Sequence, residues 1–145
     1  MTGGRTHIDI YLELAPAGHT CTQHLRMRIE ENIPLAQYTT LKVGGPARFF
    51  CVVHSIDDLK EAVGFAKEKN AAIFILGGGS NVLVSDDGFD GLVIKMEVDG
   101  ITHEVDNSRV LITAGAGVEW DELVAHTCTN EWYGLENLSL IPGTV

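Results

Sequence analysis

Three consecutive glycines and the two short polar residues that follow them could bind a phosphate group. They are Gly77, Gly78, Gly79, Ser80 and Asn81. Glycine has no Cβ atom, so its backbone can adopt positive φ values and approach a ligand closely. Successive backbone N–H groups can then converge on an anion without a cationic side chain, while the serine and asparagine can bind the ligand or brace the loop. A tight turn between strands is the alternative, since glycine runs are common in turns.

A second glycine turn, formed by Gly115, Ala116 and Gly117, precedes a run with the apolar periodicity of a helix. It supplies only half of a G-x-G-x-x-G fingerprint, because Trp120 stands where the third small residue belongs. A Rossmann site is therefore excluded, and the sequence has no G-x-x-x-x-G-K-S/T motif. The turn could still face the same pyrophosphate as Gly77–Asn81, at the positive end of the following helix. The alternative is two unrelated turns.

An apolar loop near the end of the sequence is the third candidate. It consists of Ile141, Pro142, Gly143 and Thr144, which combine a rigid residue, a permissive residue and a hydroxyl group. Such a loop is suited to lie against a planar aromatic ring. The sequence then ends at Val145 without a cap, charge or turn, as if interrupted within a domain.

The elements that must position these loops follow from hydrophobic patterning. Ala47–Val53 is aromatic and β-branched, as expected of a strand, and Ser55 predicts the N-cap of an amphipathic helix. Ala71–Leu76 predicts a strand that leads directly into the glycine loop, and Val82–Val84 remains β-like beyond it. The glycine loop is thus expected at the end of a strand–helix–strand unit.

A second group of strands is predicted after the glycine loop. Leu92–Met96 predicts a strand, and Ile101–Val105 with Val110–Ala114 predicts a hairpin. The helix that follows the second glycine turn is predicted to be capped by Gly134.

Composition limits the classes of protein that the chain could be. A hydrophobic content of 45% over 145 residues supports one domain or two small subdomains. The formal net charge of −10 argues against nucleic acid as a partner, because phosphate backbones require a basic surface. No apolar run approaches the roughly 20 residues that cross a bilayer, and three widely spaced cysteines fit a reducing cytoplasm better than a disulfide framework.

The first 26 residues are expected to be an extension, poorly ordered, or an upstream misreading of the start. Ile8–Leu14 could form one short strand. His19, Cys21 and His24 have side chains that bind metals, but their spacing matches no standard site and no fourth ligand follows. The sequence therefore predicts no metal site.

The ordered motifs resemble those of a known family. They are Tyr38–Ala47, Leu76–Leu83, Ala114–Gly117, and Gly134–Leu138 followed by Ile141–Val145. In this order and spacing they resemble the N-terminal FAD-binding part of the UDP-N-acetylenolpyruvoylglucosamine reductases, the enzymes of the second step of peptidoglycan precursor synthesis. The resemblance covers about residues 27–145.

The resemblance implies an α+β fold, the FAD-binding region of the vanillyl-alcohol-oxidase/PCMH type, built from two small α+β subdomains. These would span residues 27–84 and 85–145, with the second incomplete and the substrate-binding domain absent. By resemblance, Gly77–Asn81 would wrap the FAD pyrophosphate, Gly115–Gly117 would approach the same cofactor, and Ile141–Thr144 would border the flavin. Tyr38–Thr40, and Thr40 above all, would also lie near the cofactor.

The activity implied by the resemblance is the NADPH-dependent reduction of UDP-N-acetyl-enolpyruvoylglucosamine to UDP-N-acetylmuramate, which serves cell wall biogenesis, cell shape and cell division. The family's catalytic arginine, serine and glutamate are expected beyond the end of this chain, so no catalytic residue is assigned, and the fragment alone is expected to be inactive and to fold poorly. His54, His103 and His126 match none of those positions. A different FAD-linked oxidase or dehydrogenase, and a stand-alone flavin or nucleotide-binding module, are the alternatives; no oligomeric state follows from the sequence.

Overall fold

The structure, a computed structural model, describes residues 7–10, 27–106 and 109–145. Within these ranges the strands are β1 (His7–Ile10), β2 (Glu30–Pro34), β3 (Pro46–Val53), β4 (Ala72–Leu76), β5 (Phe89–Met96), β6 (Ile101–Asp106) and β7 (Arg109–Ala114). The helices are α1 (Ile56–Lys69) and α2 (Trp120–Thr129), and 3₁₀ turns cover Leu35–Tyr38 and Glu136–Leu138. This combination of sheets and helices confirms the predicted α+β class.

The first sheet has the strand order β2-β3-β5-β4. β3, β5 and β4 are parallel, and β2 is antiparallel to β3. One face packs against α1 through Phe49, Cys51, Val53, Leu92, Ile94 and Met96. The other face buries Leu35, Ala47, Phe50, Leu76 and Val93. Because both faces are covered, β5 is a nearly continuous apolar run, and the carboxyl ends of three parallel strands lie at one edge of the sheet.

The ends of α1 are set by local hydrogen bonds. The Ser55 hydroxyl accepts a hydrogen bond from the Asp58 backbone N–H at 3.1 Å, which confirms the predicted N-cap. Asn70 ends the helix with a left-handed backbone, φ 50°. Burial and, to a lesser extent, the Asp58 carboxylate raise the pKa of the Cys51 thiol beneath the helix to about 11, so this thiol remains protonated near neutral pH.

The second sheet has the strand order β1-β7-β6 and packs against α2. β6 and β7 are antiparallel, which confirms the predicted hairpin on either side of residues 107–108. β1 is parallel to β7 and coincides with part of the predicted Ile8–Leu14 strand; the rest of that prediction, with His19, Cys21 and His24, lies outside the described residues. The core between this sheet and α2 consists of Val110, Ile112, Ala114, Val118, Leu123, Val124 and Leu135.

Two local predictions are wrong. Gly134 does not cap α2, because the helix ends at Thr129 and both the backbone N–H and the side-chain amide of Asn130 donate to the His126 carbonyl. Val82–Val84 is not a strand. There the chain packs against the turn before β3, where Gly45 N–H donates to the Ser85 carbonyl at 2.8 Å.

The predicted division between residues 84 and 85 remains a prediction. β5 lies on the carboxyl side of that division, yet it pairs with β3 and β4 on the other side. None of the helices in the described ranges is long and apolar enough to cross a bilayer.

Candidate functional site

The glycine loop leaves the carboxyl end of β4 and lies between two other segments of the chain. On one side, the Thr40 backbone N–H donates to the Gly79 carbonyl at 3.0 Å. On the other side, the Ser80 hydroxyl donates to the Pro142 carbonyl at 3.2 Å. The structure therefore brings together three segments that the sequence proposed separately: the loop, Thr40, and Ile141–Thr144.

Close approach by these neighbours explains the glycines. A Cβ atom on Gly79 would lie 2.0 Å from the Tyr38 carbonyl oxygen, and its φ of +71° is a conformation that favours glycine. A Cβ atom on Gly77 would lie 2.6 Å from Thr144 Oγ1, and one on Gly78 would lie 3.4 Å from Gly143 Cα. Gly79 therefore has the strictest requirement for glycine in the loop.

Two carbonyl groups of the loop are bonded to the protein, whereas four of its N–H groups have no acceptor in the described part of the chain. Lys95 Nζ donates to the Gly77 carbonyl at 2.8 Å, and Thr40 donates to the Gly79 carbonyl. The backbone N–H groups of Gly78, Gly79, Ser80 and Asn81 have no acceptor among the residues that the structure describes. Unpaired backbone donors are costly unless water or a ligand accepts their hydrogen bonds. Several adjacent donors form a site for an anion.

The second glycine turn is arranged differently. The N–H groups of Gly115 and Gly117 donate to the carbonyls of Gly100 and Val98, at 2.8 and 2.7 Å. A Cβ atom on Gly117 would lie 2.6 Å from Glu97 Cα. These glycines therefore allow the turn to pack on the connection between β5 and β6, and the N–H groups of Gly115 and Gly117 are not free for an anion. That the turn approaches the cofactor stays a prediction. Ala116, between them, packs against the core under α1.

The final segment of the chain links the glycine loop to α2. The Trp120 N–H donates to the Gly143 carbonyl, and the Val145 N–H donates to the Val118 carbonyl, both at 3.0 Å. Ile141 is 50% exposed, so it presents apolar surface beside the loop. The glycine loop and the residues that follow the second glycine turn are thus hydrogen-bonded to the same segment. That this segment lies against a planar ring stays a prediction.

Asp121 holds this segment from the first turn of α2. Its Oδ1 atom accepts hydrogen bonds from Ser139 Oγ at 2.5 Å and from the Leu140 N–H at 2.9 Å. The hydrogen bond from Ser139, followed by that from Leu140, lowers the pKa of the Asp121 carboxyl below its ordinary value. The folded state lowers this pKa, so the ionised Asp121 carboxylate stabilises the folded chain at any pH above the pKa that Asp121 has in the unfolded chain. This stabilisation is lost as the pH falls through the pKa of Asp121 in the folded chain.

We expect acid to release the 139–144 segment only below the ordinary pKa of aspartate, about 3.9, because the folded state lowers the pKa of Asp121. Asp121→Asn should reproduce this release at neutral pH, since it removes the charged acceptor. The amide resonance of Leu140, followed by NMR from pH 7 to 3, checks both results. Glu122→Gln is the matched control, because it removes a carboxylate from the same exposed helix turn. An Asp121→Asn protein with the wild-type Leu140 resonance at pH 7 would contradict the assignment.

A pocket of about 260 Å³ begins where the glycine loop ends. Its lining is mainly apolar and consists of Leu35, Phe74, Val82, Leu83, Val84, Ser85, Gly88 and Phe89. Pockets that hold whole drug-sized ligands measure roughly 300–1,000 Å³. This pocket is therefore sized for part of a ligand rather than for a complete one.

The three histidines considered from the sequence take part in packing or surface contacts. His54 Nδ1 lies 3.7 Å from Glu97 Oε2. His103 and His126 pack against Trp132, with ring centroids 4.6 and 5.8 Å from that of the tryptophan. Each imidazole ring thus has a packing or surface contact. That the chain contributes no catalytic histidine stays a prediction.

Sequence reasoning missed two contacts of the loop, that of Lys95 with Gly77 and that of the Tyr38 carbonyl with Gly79. Lys95 had a detectable signal, since it is a charged residue within the otherwise apolar run Leu92–Met96. The contact of Tyr38 had none, because a backbone carbonyl carries no mark in the sequence.

Comparisons with known proteins agree with this geometry. Residues 47–145 match the family described as FAD binding domain. UDP-N-acetylenolpyruvoylglucosamine reductase from Cutibacterium acnes (strain DSM 16379 / KPA171202) is 46% identical over 116 residues, which cover 79% of this chain and 31% of that protein. The protein of the same name from Thermobifida fusca (strain YX) is 44% identical over 79% of this chain and 32% of its own length.

A solved structure is also similar. The crystal structure of UDP-N-acetylenolpyruvylglucosamine reductase (MurB) from Thermus caldophilus matches with a TM-score of 0.61 and 33% identity, over 82% of this chain and 40% of that one. The chain thus spans about a third of the length of the curated relatives, which match over 31% and 32% of their sequences. The predicted resemblance and the predicted FAD cofactor are confirmed.

Proposed function

Because the chain belongs to the FAD-binding domain family, we propose that it is the cofactor-binding part of a UDP-N-acetylenolpyruvoylglucosamine reductase. The observation that carries this proposal is the set of backbone N–H groups in the glycine loop that have no acceptor among the described residues. FAD contains a pyrophosphate, which is an acceptor of matching charge. The chain has a formal net charge of −10, so attraction to this anion must come from local groups such as these amides.

The described residues fit the cofactor in distinct ways. The N–H groups of Gly78–Asn81 would bind the pyrophosphate, and Thr40 and Thr144 would hold the loop from its two sides. Ile141–Gly143 would lie against the flavin ring system. Gly115–Gly117 would support the position of this final segment of the chain. Bound FAD supplies the redox chemistry. The groups named here are backbone amides, hydroxyls and apolar surface, so this chain is assigned binding and orientation rather than proton transfer.

The substrate proposed for the whole protein is the UDP-sugar in the relatives' name. By the resemblance of its motifs, we also propose NADPH as reductant and a role in cell wall biogenesis, cell shape and cell division. A cytoplasmic location is supported by Cys51 and Cys128, both of which are free thiols, as is usual in a reducing compartment.

That the 145-residue chain folds poorly on its own stays a prediction; in its folded state, we propose, the chain binds FAD. At a free FAD concentration 100 times the Kd, binding should stabilise the folded state by about 2.7 kcal/mol, which raises the melting temperature by roughly 5–10 °C for a domain of this size. Differential scanning calorimetry with and without FAD checks the shift, and quenching of flavin fluorescence gives the Kd.

Riboflavin, titrated in the same way, and ADP, titrated by displacement of bound FAD, serve as comparison ligands. ADP retains the pyrophosphate and riboflavin lacks it. If the glycine loop forms the site, the affinity for ADP should therefore be closer to that for FAD than the affinity for riboflavin is. Equal binding of riboflavin and FAD would contradict the role of the loop. A melting temperature that does not respond to FAD would contradict the function.

A further inference from the structure

Lys95 is an unusual residue for its position in the fold. It lies near the end of β5, between β3 and β4, where its partners in the ladder are Val52 and Leu76. Side chains of alternate residues share a face, so Lys95 is on the same face as the buried Val93. Lysine is rarely placed in such surroundings unless its charge has a partner. In the described part of the chain no carboxylate forms an ion pair with Lys95.

The partner of Lys95 is instead the glycine loop. Its ammonium group donates to the Gly77 carbonyl at 2.8 Å. A trans peptide is planar, and its C=O and N–H groups point in opposite directions. A carbonyl of Gly77 held toward Lys95 therefore turns the N–H of Gly78 to the opposite side. Thr40 restrains the peptide between Gly79 and Ser80 in the same way, through the Gly79 carbonyl.

The positive charge of Lys95 adds an electrostatic effect to this orientation of the loop. The chain has 20 Asp and Glu residues against 10 Lys and Arg, so its overall field repels an anion. Lys95 is partly buried, which reduces the screening of its charge by solvent. A hydrogen bond from an ammonium group is also stronger than one between neutral groups. One residue thus fixes the first peptide of the loop and places a positive charge directly behind it.

We propose that Lys95 is a positioning residue for the FAD pyrophosphate: it orients the Gly77–Gly78 peptide so that the loop amides face the ligand, and it offsets the negative charge of the protein at that point. This role rests on the proposed FAD site.

The test compares FAD binding by the wild-type chain, Lys95→Met, Lys95→Arg and Lys60→Met. Lys95→Met keeps an unbranched stem without the charge and the donors, and Lys95→Arg keeps both. Lys60→Met is the matched control, because it removes a charge from an exposed side chain of α1. We expect Lys95→Met to weaken FAD binding at least tenfold, about 1.4 kcal/mol, with Lys95→Arg within about threefold of wild type and Lys60→Met within about twofold.

Two readouts separate this role from a general effect on folding. The FAD affinity of wild type should fall more steeply with added NaCl than that of Lys95→Met, because one charge near the pyrophosphate is missing in the variant. The Gly78 amide resonance of the ligand-free protein should shift in Lys95→Met and stay in place in Lys60→Met. Lys95→Gln, which is polar but uncharged, replaces Lys95→Met if that variant does not fold, with the same expected loss.

Each outcome decides a separate question. If wild type binds FAD and the uncharged Lys95 variant binds it as well as Lys60→Met does, the role of Lys95 is overturned and the FAD site stands. If wild type binds no FAD, the proposed function itself is refuted, and the role of Lys95 falls with it.

Discussion

Gly79→Ala is expected to weaken FAD binding at least a hundredfold, about 2.7 kcal/mol, and to lower the free energy of unfolding by about 2–5 kcal/mol. A left-handed conformation costs a residue with a Cβ atom about 1–2 kcal/mol. Overpacking a close contact costs about 1–3 kcal/mol more. The new Cβ would lie 2.0 Å from the Tyr38 carbonyl oxygen. This oxygen belongs to the backbone, so a change of rotamer cannot relieve the clash. Urea unfolding and flavin fluorescence titration measure the two effects.

Gly64→Ala is the matched control for this substitution. Gly64 lies within α1, and a Cβ atom there would have no neighbour within 4 Å. The same added methyl group should therefore raise the free energy of unfolding by about 0.5–1 kcal/mol, through helix propensity, and leave FAD affinity unchanged. Similar affinities for Gly79→Ala and Gly64→Ala would show that the conformation of Gly79 does not form the binding site.

Phe50→Ala should have the largest effect on stability of the substitutions considered. Phe50 is 1% exposed and stacks on Tyr38 with a centroid separation of 4.4 Å. Truncation of a buried phenylalanine costs about 3–5 kcal/mol, a large share of the roughly 5–15 kcal/mol by which domains are stable. Loss of the stacked ring also leaves Tyr38, whose carbonyl contacts Gly79, without its support. We therefore expect a lower urea midpoint together with weaker FAD binding.

Tyr133→Ala distinguishes this effect from a general response to losing an aromatic ring. Tyr133 is 53% exposed, and surface substitutions usually change stability by no more than about 0.5 kcal/mol. Equal urea midpoints for Phe50→Ala and Tyr133→Ala would mean that the Tyr38–Phe50 stack does not support the fold.

Local patterns in the sequence were sufficient to place several parts of the site. The capping residue Ser55, the alternation of the β6–β7 hairpin and the strand that leads into Gly77 all depend on near neighbours in the chain. Such features follow from side-chain periodicity and backbone preferences. The short strand β2 was missed because Glu30, Glu31 and Asn32 interrupt any apolar alternation, and its pairing with β3 provides what the local sequence lacks.

Which backbone N–H groups are hydrogen-bonded within the protein could not be predicted from local patterns in the same way. The Gly115 and Gly117 N–H groups donate to carbonyls of the connection before β6, whereas those that follow Gly77 have no acceptor within residues 7–10, 27–106 and 109–145. Both turns have the glycine content of an anion site. The difference arises from which backbone segment lies opposite each turn, and that depends on tertiary packing. For the same reason Lys95 was recognisable as an exception within its strand but not as a partner of the loop.

The bond between Ser80 and Pro142 joins residues 62 positions apart. Closing so long a loop costs conformational entropy before any contact can repay it, and contacts of high sequence separation slow the folding of small domains. The strand that carries the glycine loop can pair with β5 while this contact is still open. We therefore expect the competence to retain a cofactor to be acquired late in folding, once the chain has closed around Gly79.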